Sequence, residues 1–300
     1  MKILLSGGTG YIGSAVLSLL TKAGYEVVTV ARSANAVSML ESAAVPVLLH
    51  ELADRAWLVD QLRHVDGMIH TASGAGMAPG ELDNVVIDAA VDAFADTDKP
   101  FVHTGGMWTY GNSTSINEES PANPAAVVAW RVEPEQRVLT SGINAALVVP
   151  SITYGRGRGI PKLLAEPPHN DRGEALAIGS GSQHMENVYI DDLAALYLAV
   201  LRKGRRGERY IATSGVHPTL SEVTTAAVGA KVRVVPEGAE ASRLRLGVGF
   251  ADALMLDQQA SNYKARSELD WVPVGPTILT ELATGSYTKL ARQNATLLEP

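Results

Sequence analysis

The eight residues Ser6-Gly7-Gly8-Thr9-Gly10-Tyr11-Ile12-Gly13 restrict what this chain can become more than any other segment. They follow Ile3-Leu4-Leu5, a short apolar run of the kind that forms a buried strand. They lead into residues 11–23, which read as a helix stopped by Gly24. Glycines at 7, 10 and 13 permit a tight turn, close approach of a pyrophosphate, and close contact between helix and sheet. A helix N-terminus adds free N–H groups and the positive end of its dipole. Strand, loop and helix together predict a dinucleotide cradle, with Gly7, Thr9, Gly10, Tyr11, Ile12 and Gly13 as its contacts.

The pattern continues beyond the loop. Apolar runs at 27–30, 45–49, 67–70, 100–103 and 145–149 alternate with helical segments at 34–43, 57–63, 82–95 and 135–140. The runs are continuous rather than alternating, as in strands covered on both faces. Alternating strands and helices at this spacing predict an α/β fold, a Rossmann doubly wound parallel sheet. After Pro150 the sequence turns rich in glycine and proline up to Gly181 and carries little period. A helix is predicted over 188–201, strands at 210–212 and 232–235, a helix over 220–227, and closing segments at 266–271 and 278–287. The expectation is a dinucleotide-binding core over 1–155. Residues 156–300 then form mostly a smaller substrate-binding lobe, with some elements returning to the core.

The 300 residues include no cysteine, which excludes disulfides and thiolate chemistry. A net charge of −7 argues against a nucleic-acid partner. The basic run from Arg202 to Arg209 reads as solvated loop. Glycines follow Met1-Lys2-Ile3-Leu4-Leu5 too soon for a secretory signal, and no stretch approaches the ~20 apolar residues of a membrane helix. The expectation is a soluble, cytoplasmic protein with a small-molecule substrate, no membrane and no nucleic acid. No His/Asp/Glu spacing suggests a metal site.

The second strand ends in Val30-Ala31-Arg32-Ser33. A site for NAD usually carries Asp or Glu there for the ribose 2′-hydroxyl. A guanidinium suits a 2′-phosphate, through paired hydrogen bonds, and Ser33 adds another donor. The reading is NADP(H), against the plainer alternative of a surface arginine.

These motifs, with others along the chain, resemble the extended-type short-chain dehydrogenases/reductases, the NAD-dependent epimerase/dehydratase superfamily. His50-Glu51-Leu52-Ala53-Asp54 resembles the segment whose acid contacts the adenine, and Glu51, with Leu52 beside it, takes that place. Ile69-His70-Thr71-Ala72-Ser73 resembles the fourth-strand motif along the cofactor, which implies contacts from Thr71, Ala72 and Ser73. Phe101-Val102-His103-Thr104-Gly105-Gly106, followed by Tyr110-Gly111, resembles the fifth-strand segment leading to the active site. Pro150-Ser151-Ile152-Thr153-Tyr154-Gly155 resembles the proline motif beside the nicotinamide. Val188 to Ala194 and Lys264 to Pro273 resemble the start of a helix bordering the substrate lobe and the usual C-terminal segment.

The resemblance implies a Ser/Thr, Tyr and Lys set, and here the chain departs from it. Aligned on Tyr110-Gly111, the hydroxyl position falls on Gly106, with Thr104 the nearest hydroxyl. Aligned on Glu135, the tyrosine falls on Val127 and the lysine on Arg131. No tyrosine occurs between Tyr110 and Tyr154, and no lysine between Lys99 and Lys162. Pro134 also predicts a helix that starts or kinks near Glu133. Arg131 suits the nicotinamide ribose but stays protonated and cannot donate a proton.

The chain thus resembles the atypical branch, which keeps the nucleotide site and loses the tetrad. There an acid replaces the active-site asparagine, and Asp83 and Asp88 stand as candidates beside the plainer reading of a solvated helix face. Thr104, Tyr154 and Arg131 are the catalytic candidates. Tyr110, Tyr189, His103 and His184 are further candidates for a proton donor, since the resemblance places their segments along the cleft. Gly106, Met107, Trp108, Ser151 and His184 are the expected substrate contacts, and Trp130 is either wall or core. The favoured function is an NADPH-dependent reductase of a small carbonyl- or imine-type compound. The alternatives are a non-redox isomerase, cyclase or lyase that holds NADP(H) structurally, and an NADP(H)-sensing binding protein. A monomer or homodimer is expected.

Overall fold

The computed structural model describes residues 1–34, 36–37, 45–74 and 76–288. Most of the helix expected at 34–43 lies outside them. Seven parallel strands form the central sheet in the order β3-β2-β1-β4-β5-β7-β11. They are β1 (Lys2–Ser6), β2 (Glu26–Ala31), β3 (Val47–Leu49), β4 (Gly67–His70), β5 (Phe101–Thr104), β7 (Ala145–Pro150) and β11 (Glu208–Ala212). The order reverses at β1, which makes a topological switch point at the carboxyl ends of β1 and β4.

Successive side chains of these strands enter opposite cores. Ile3, Leu5, Ile69 and Val148 join one cluster, and Leu4, Met68, Leu147 and Val149 join the other. The first is covered by α1 (Tyr11–Lys22), which supplies Val16 and Leu20, and by α6 (Ile190–Lys203), which supplies Leu193 and Tyr197. The second is covered by α2 (Arg55–Arg63) and α3 (Glu81–Phe94), through Leu58, Leu62, Val86 and Ala90. With both faces buried, the continuous apolar runs follow directly.

The C-terminal half adds a third cluster, built on Ile152, Tyr154, Ile178, Leu220, Val223, Leu254 and Ile278. Three short parallel sheets lie beside the central one: β8 (Ile152–Tyr154) with β10 (Asn187–Tyr189), β9 (Ala175–Ile178) with β12 (Val234–Gly238), and β6 (Ser113–Ile116), from the N-terminal half, with β13 (Gln258–Ala260). Two elements of the C-terminal half, α6 and β11, pack on and extend the central sheet. Val188 and Tyr189, expected as the start of a helix over 188–201, belong to β10, and the helix starts at Ile190.

Short helices complete the chain: α4 (Val132–Leu139), α5 (Pro161–Leu164), α7 (Leu220–Val228), α8 (Ala239–Leu246), α9 (Val248–Leu254), α10 (Tyr263–Leu269) and α11 (Ile278–Thr284). Among the described residues, no helix is long and apolar enough to cross a membrane. The basic run is held to its surroundings: Lys203 pairs with Asp270, Arg205 with Glu268, and Arg206 bonds Gly142 O.

Candidate functional site

The glycine loop takes the geometry its spacing requires. Gly10 N donates to Gly7 O at 2.8 Å and closes the turn. Gly7 has φ of +78°, and a Cβ there would stand 2.7 Å from Ala72 N. A Cβ on Gly13 would stand 2.1 Å from Gly7 O, so α1 can lie against the loop only with glycine at 13. The first helical bond runs from Ser14 N to Gly10 O. The N–H groups of Tyr11, Ile12 and Gly13 precede it and have no intrahelical acceptor.

Two cavities flank this helix terminus. One, of about 360 Å³, is bounded by Gly7, Thr9 and Gly10 of the loop. Arg32 and Ser33 close it from the end of β2, Glu51 and Leu52 from beyond β3, and Thr71, Ala72 and Ser73 from beyond β4. His50 also reaches its wall and stacks on Trp57 with ring centres 4.2 Å apart. The Thr71 hydroxyl donates to Ser6 O at 2.7 Å, which ties the end of β4 to the loop.

The other cavity, of about 300 Å³, lies on the far side of the terminus, against Tyr11 and Ile12. Gly106, Met107, Trp108, Arg131, Pro150 and Ser151 line it. Val128, Ile152, Thr153, Gly159 and Ile160 do so as well, and none of these five was expected as a site contact. The wall is mostly apolar, and Arg131 is its one charged side chain among the described residues. Trp108 meets Phe250 edge to face at 6.0 Å, which joins this wall to the C-terminal lobe.

The segment that should carry the family's Tyr and Lys has an altered backbone. Ala126–Arg131 is a 3-10 turn, and the α-helix begins only at Val132. Pro134 sits in the first turn of α4, where its missing N–H costs nothing. Val127 and Arg131 therefore do not share a face of one α-helix. The Arg131 guanidinium lies 4.3 Å from the Trp130 ring centre, and Trp130 packs over Gly80 rather than on the cavity wall. No hydrogen bond or ion pair joins that guanidinium to any other described residue.

Glu135 lies behind this wall. Its Oε1 accepts from Gly106 N at 3.1 Å. Burial pushes the carboxyl up to about 7, although Arg209 and Arg131 pull the other way.

Other expected residues stand elsewhere. The Thr104 hydroxyl donates to His70 O at 2.6 Å and meets Tyr197 Oη at 2.7 Å, beneath the cavities rather than in their walls. Tyr154 is buried in the lobe and its hydroxyl donates to Pro276 O at 2.7 Å. Burial also raises its pKa. His184 pairs through Nδ1 with Asp257 at 2.8 Å and does not reach the wall. Tyr110 is buried against Arg209, and Tyr189 packs on Tyr154.

Asp83 does not lie on a solvated face. It is buried and accepts from His70 Nε2 at 3.1 Å, while Asp88 pairs with Arg137. In a neutral imidazole, that bond leaves His70 Nδ1 to accept from Ser6 Oγ at 2.6 Å. Burial works to raise the Asp83 carboxyl, but the His70 hydrogen bond and nearby positive charge outweigh it, and the carboxyl sits below its ordinary value. His103 stacks on His70 at 5.2 Å, and burial pushes its pKa down to about 3. Its Nδ1 has no hydrogen-bond partner among the described residues. The sequence signal for this network was polar residues inside strands that otherwise read as core.

Comparison with known proteins places these features in a family. The sequence profile described as the NAD dependent epimerase/dehydratase family matches residues 3–212. The uncharacterized protein C2A9.02 of Schizosaccharomyces pombe is 24% identical over 96% of this chain and 100% of its own length. The 2-alkyl-3-oxoalkanoate reductase of Stenotrophomonas maltophilia is 28% identical over 77% of this chain and 76% of its own. Among solved structures, a dTDP-glucose 4,6-dehydratase of Streptomyces venezuelae with NAD bound superposes with a TM-score of 0.74 at 22% identity, covering all of both chains. At that identity the likeness is one of fold. The profile spans the loop, both cavities' principal walls and the 3-10 turn in place of the tetrad helix, and the chain belongs to the NAD dependent epimerase/dehydratase family.

Proposed function

We propose that the chain is an NADP(H)-binding atypical short-chain dehydrogenase/reductase that reduces a small carbonyl- or imine-type substrate. The observation that carries this reading is the pair of cavities on either side of one helix N-terminus, one bounded by the glycine loop and the other apolar with a single guanidinium. The loop suits a dinucleotide: glycines at 7 and 13 let it lie close against the end of β4 and against α1, and the N–H groups at the start of α1 are left without intrahelical acceptors for a pyrophosphate. Glu51 and Leu52 would hold the adenine, Arg32 and Ser33 the 2′-phosphate, and Pro150 the nicotinamide end. The similarity to a protein named as a reductase supports the redox reading.

Bound NADPH supplies a hydride. The chain's own residues bind and orient the acceptor: Met107, Trp108 and Ile152 exclude water from it, and Arg131 sets positive charge beside it. Residues 1–155 would hold the cofactor and also supply most of the substrate wall, with Gly159 and Ile160 contributed by the expected substrate lobe 156–300. A second reading, a non-redox isomerase, cyclase or lyase, is favoured by the missing Tyr and Lys alone.

The test is loss of reduced-nicotinamide absorbance with a panel of small ketones, enones, quinones and imines. The expected result is substrate-dependent oxidation of NADPH by at least one of them. Product formation with no change in the cofactor would establish the non-redox reading instead.

A further inference from the structure

The wall of the apolar cavity holds hydroxyl groups, and each one's proton is engaged by a backbone carbonyl. Tyr11 Oη donates to Gly155 O at 2.8 Å. Ser151 Oγ donates to Ala212 O at 2.7 Å, and Thr153 Oγ1 to Ser151 O at 3.2 Å. Burial, with Tyr287 adding to it, raises the Tyr11 pKa further. Among the described residues, no histidine or carboxyl lines the cavity. Against this, Arg131 brings five N–H groups and a permanent charge, without a hydrogen-bond acceptor among the described residues. The cavity therefore holds an anion well and hands over a proton poorly.

We propose that Arg131 is an oxyanion clamp and that the substrate is a conjugated acceptor, an enone or quinone, rather than a saturated ketone. This rests on the reductase reading. Hydride addition to a saturated ketone leaves an alkoxide, about as basic as hydroxide, which needs an acid at once. Addition to an enone forms the new C–H bond at the carbon β to the carbonyl. The C=C electron pair shifts toward the oxygen and gives an enolate. The acceptor gains two electrons, the nicotinamide is oxidised, and solvent water later protonates the enolate. A quinone gives a hydroquinone anion in the same way. At oxygen such delocalised anions are far weaker bases than an alkoxide, and a guanidinium on an apolar wall stabilises them as charge develops there. The role differs from ribose binding, in which Arg131 would act on the cofactor alone.

The first test uses 4-nitrophenol without cofactor, since its phenolate alone absorbs in the visible. The expected result is a bound probe whose pKa lies roughly one unit or more below its free value, from the charge-assisted pair with Arg131. Arg131→Met, which keeps the stem over Trp130, should abolish the lowering, and Arg131→Lys should restore part of it. A bound probe of unshifted pKa, equal values in wild type and Arg131→Met, or no binding at millimolar probe would overturn the clamp. The second test compares NADPH oxidation by an enone and by its saturated ketone. Enone turnover at least 100-fold faster is expected, and equal rates would overturn the proposal while leaving the reductase reading intact. Turnover of neither compound, with the pKa shift present, would sink the reductase reading and leave the clamp standing.

Discussion

Single atoms decide the nucleotide site. Gly13 matters because a methyl group there would collide with Gly7 O at 2.1 Å and with the Thr71 hydroxyl at 2.7 Å. Gly13→Ala should therefore lift α1 off the loop. The expectation is a stability loss of about 1–3 kcal/mol, typical of overpacking, and dinucleotide binding weakened by more than 100-fold. Thermal unfolding and titration of the nucleotide check both. Gly7, Gly10 and Gly13 were legible in the sequence because their spacing has one main physical use. Thr104 and Tyr154 were not, because a hydroxyl's usefulness depends on where its proton goes. In both, it goes to a backbone carbonyl, of His70 and of Pro276.

Elements were read well where one face pattern dominates and less well where tertiary pairing overrides it. The strands of the central sheet and helices α1, α2 and α3 match continuous apolar runs and helical periodicity. The short strands β6, β9 and β13 each find a partner far along the chain, and nothing local announces them. The 3-10 turn Ala126–Arg131 was signalled only indirectly, by Pro134. In the helix that follows it, Glu135 lies under Gly106 and is buried.

That burial makes a prediction with a definite sign. The folded carboxyl binds its proton up to about 7, whereas the ordinary value is 4.5. Between those values the folded state holds more protons than the unfolded chain, so stability falls as pH rises through the window. His103 acts in the opposite sense: its folded pKa of about 3 lies below 6.5, and stability falls as pH drops. Glu135→Gln should remove only the first slope. Denaturant unfolding between about pH 6 and 8 should show wild type falling by roughly 1 kcal/mol relative to the variant, because the His103 contribution is common to both. Parallel curves would contradict the burial argument.

At the scale of the whole molecule, the sheet brings the ends of β1, β2, β4 and β7 to one edge, and α1 points its N-terminus between them. The glycine loop faces one cavity and Tyr11 and Ile12 face the other, so a bound dinucleotide would run across the helix terminus. The lobe beyond Pro150 closes the second cavity with Ile152, Thr153 and Ile160. These contacts were not legible, because they come from a glycine- and proline-rich stretch whose path depends on the lobe's own core. The general position of the site was legible, because the glycine loop marks the N-terminus of α1 as the place where a pyrophosphate would sit.

The central claim is that this cleft holds a dinucleotide carrying a 2′-phosphate. Isothermal titration of NADP(H) and NAD(H) into wild type and Arg32→Ala tests it most directly. The account predicts that wild type prefers NADP(H), and that Arg32→Ala loses roughly 10- to 100-fold of that affinity while NAD(H) binding changes little, as expected for removal of a charge-assisted phosphate contact. Equal affinity of wild type for the two cofactors, or binding of neither, would contradict it.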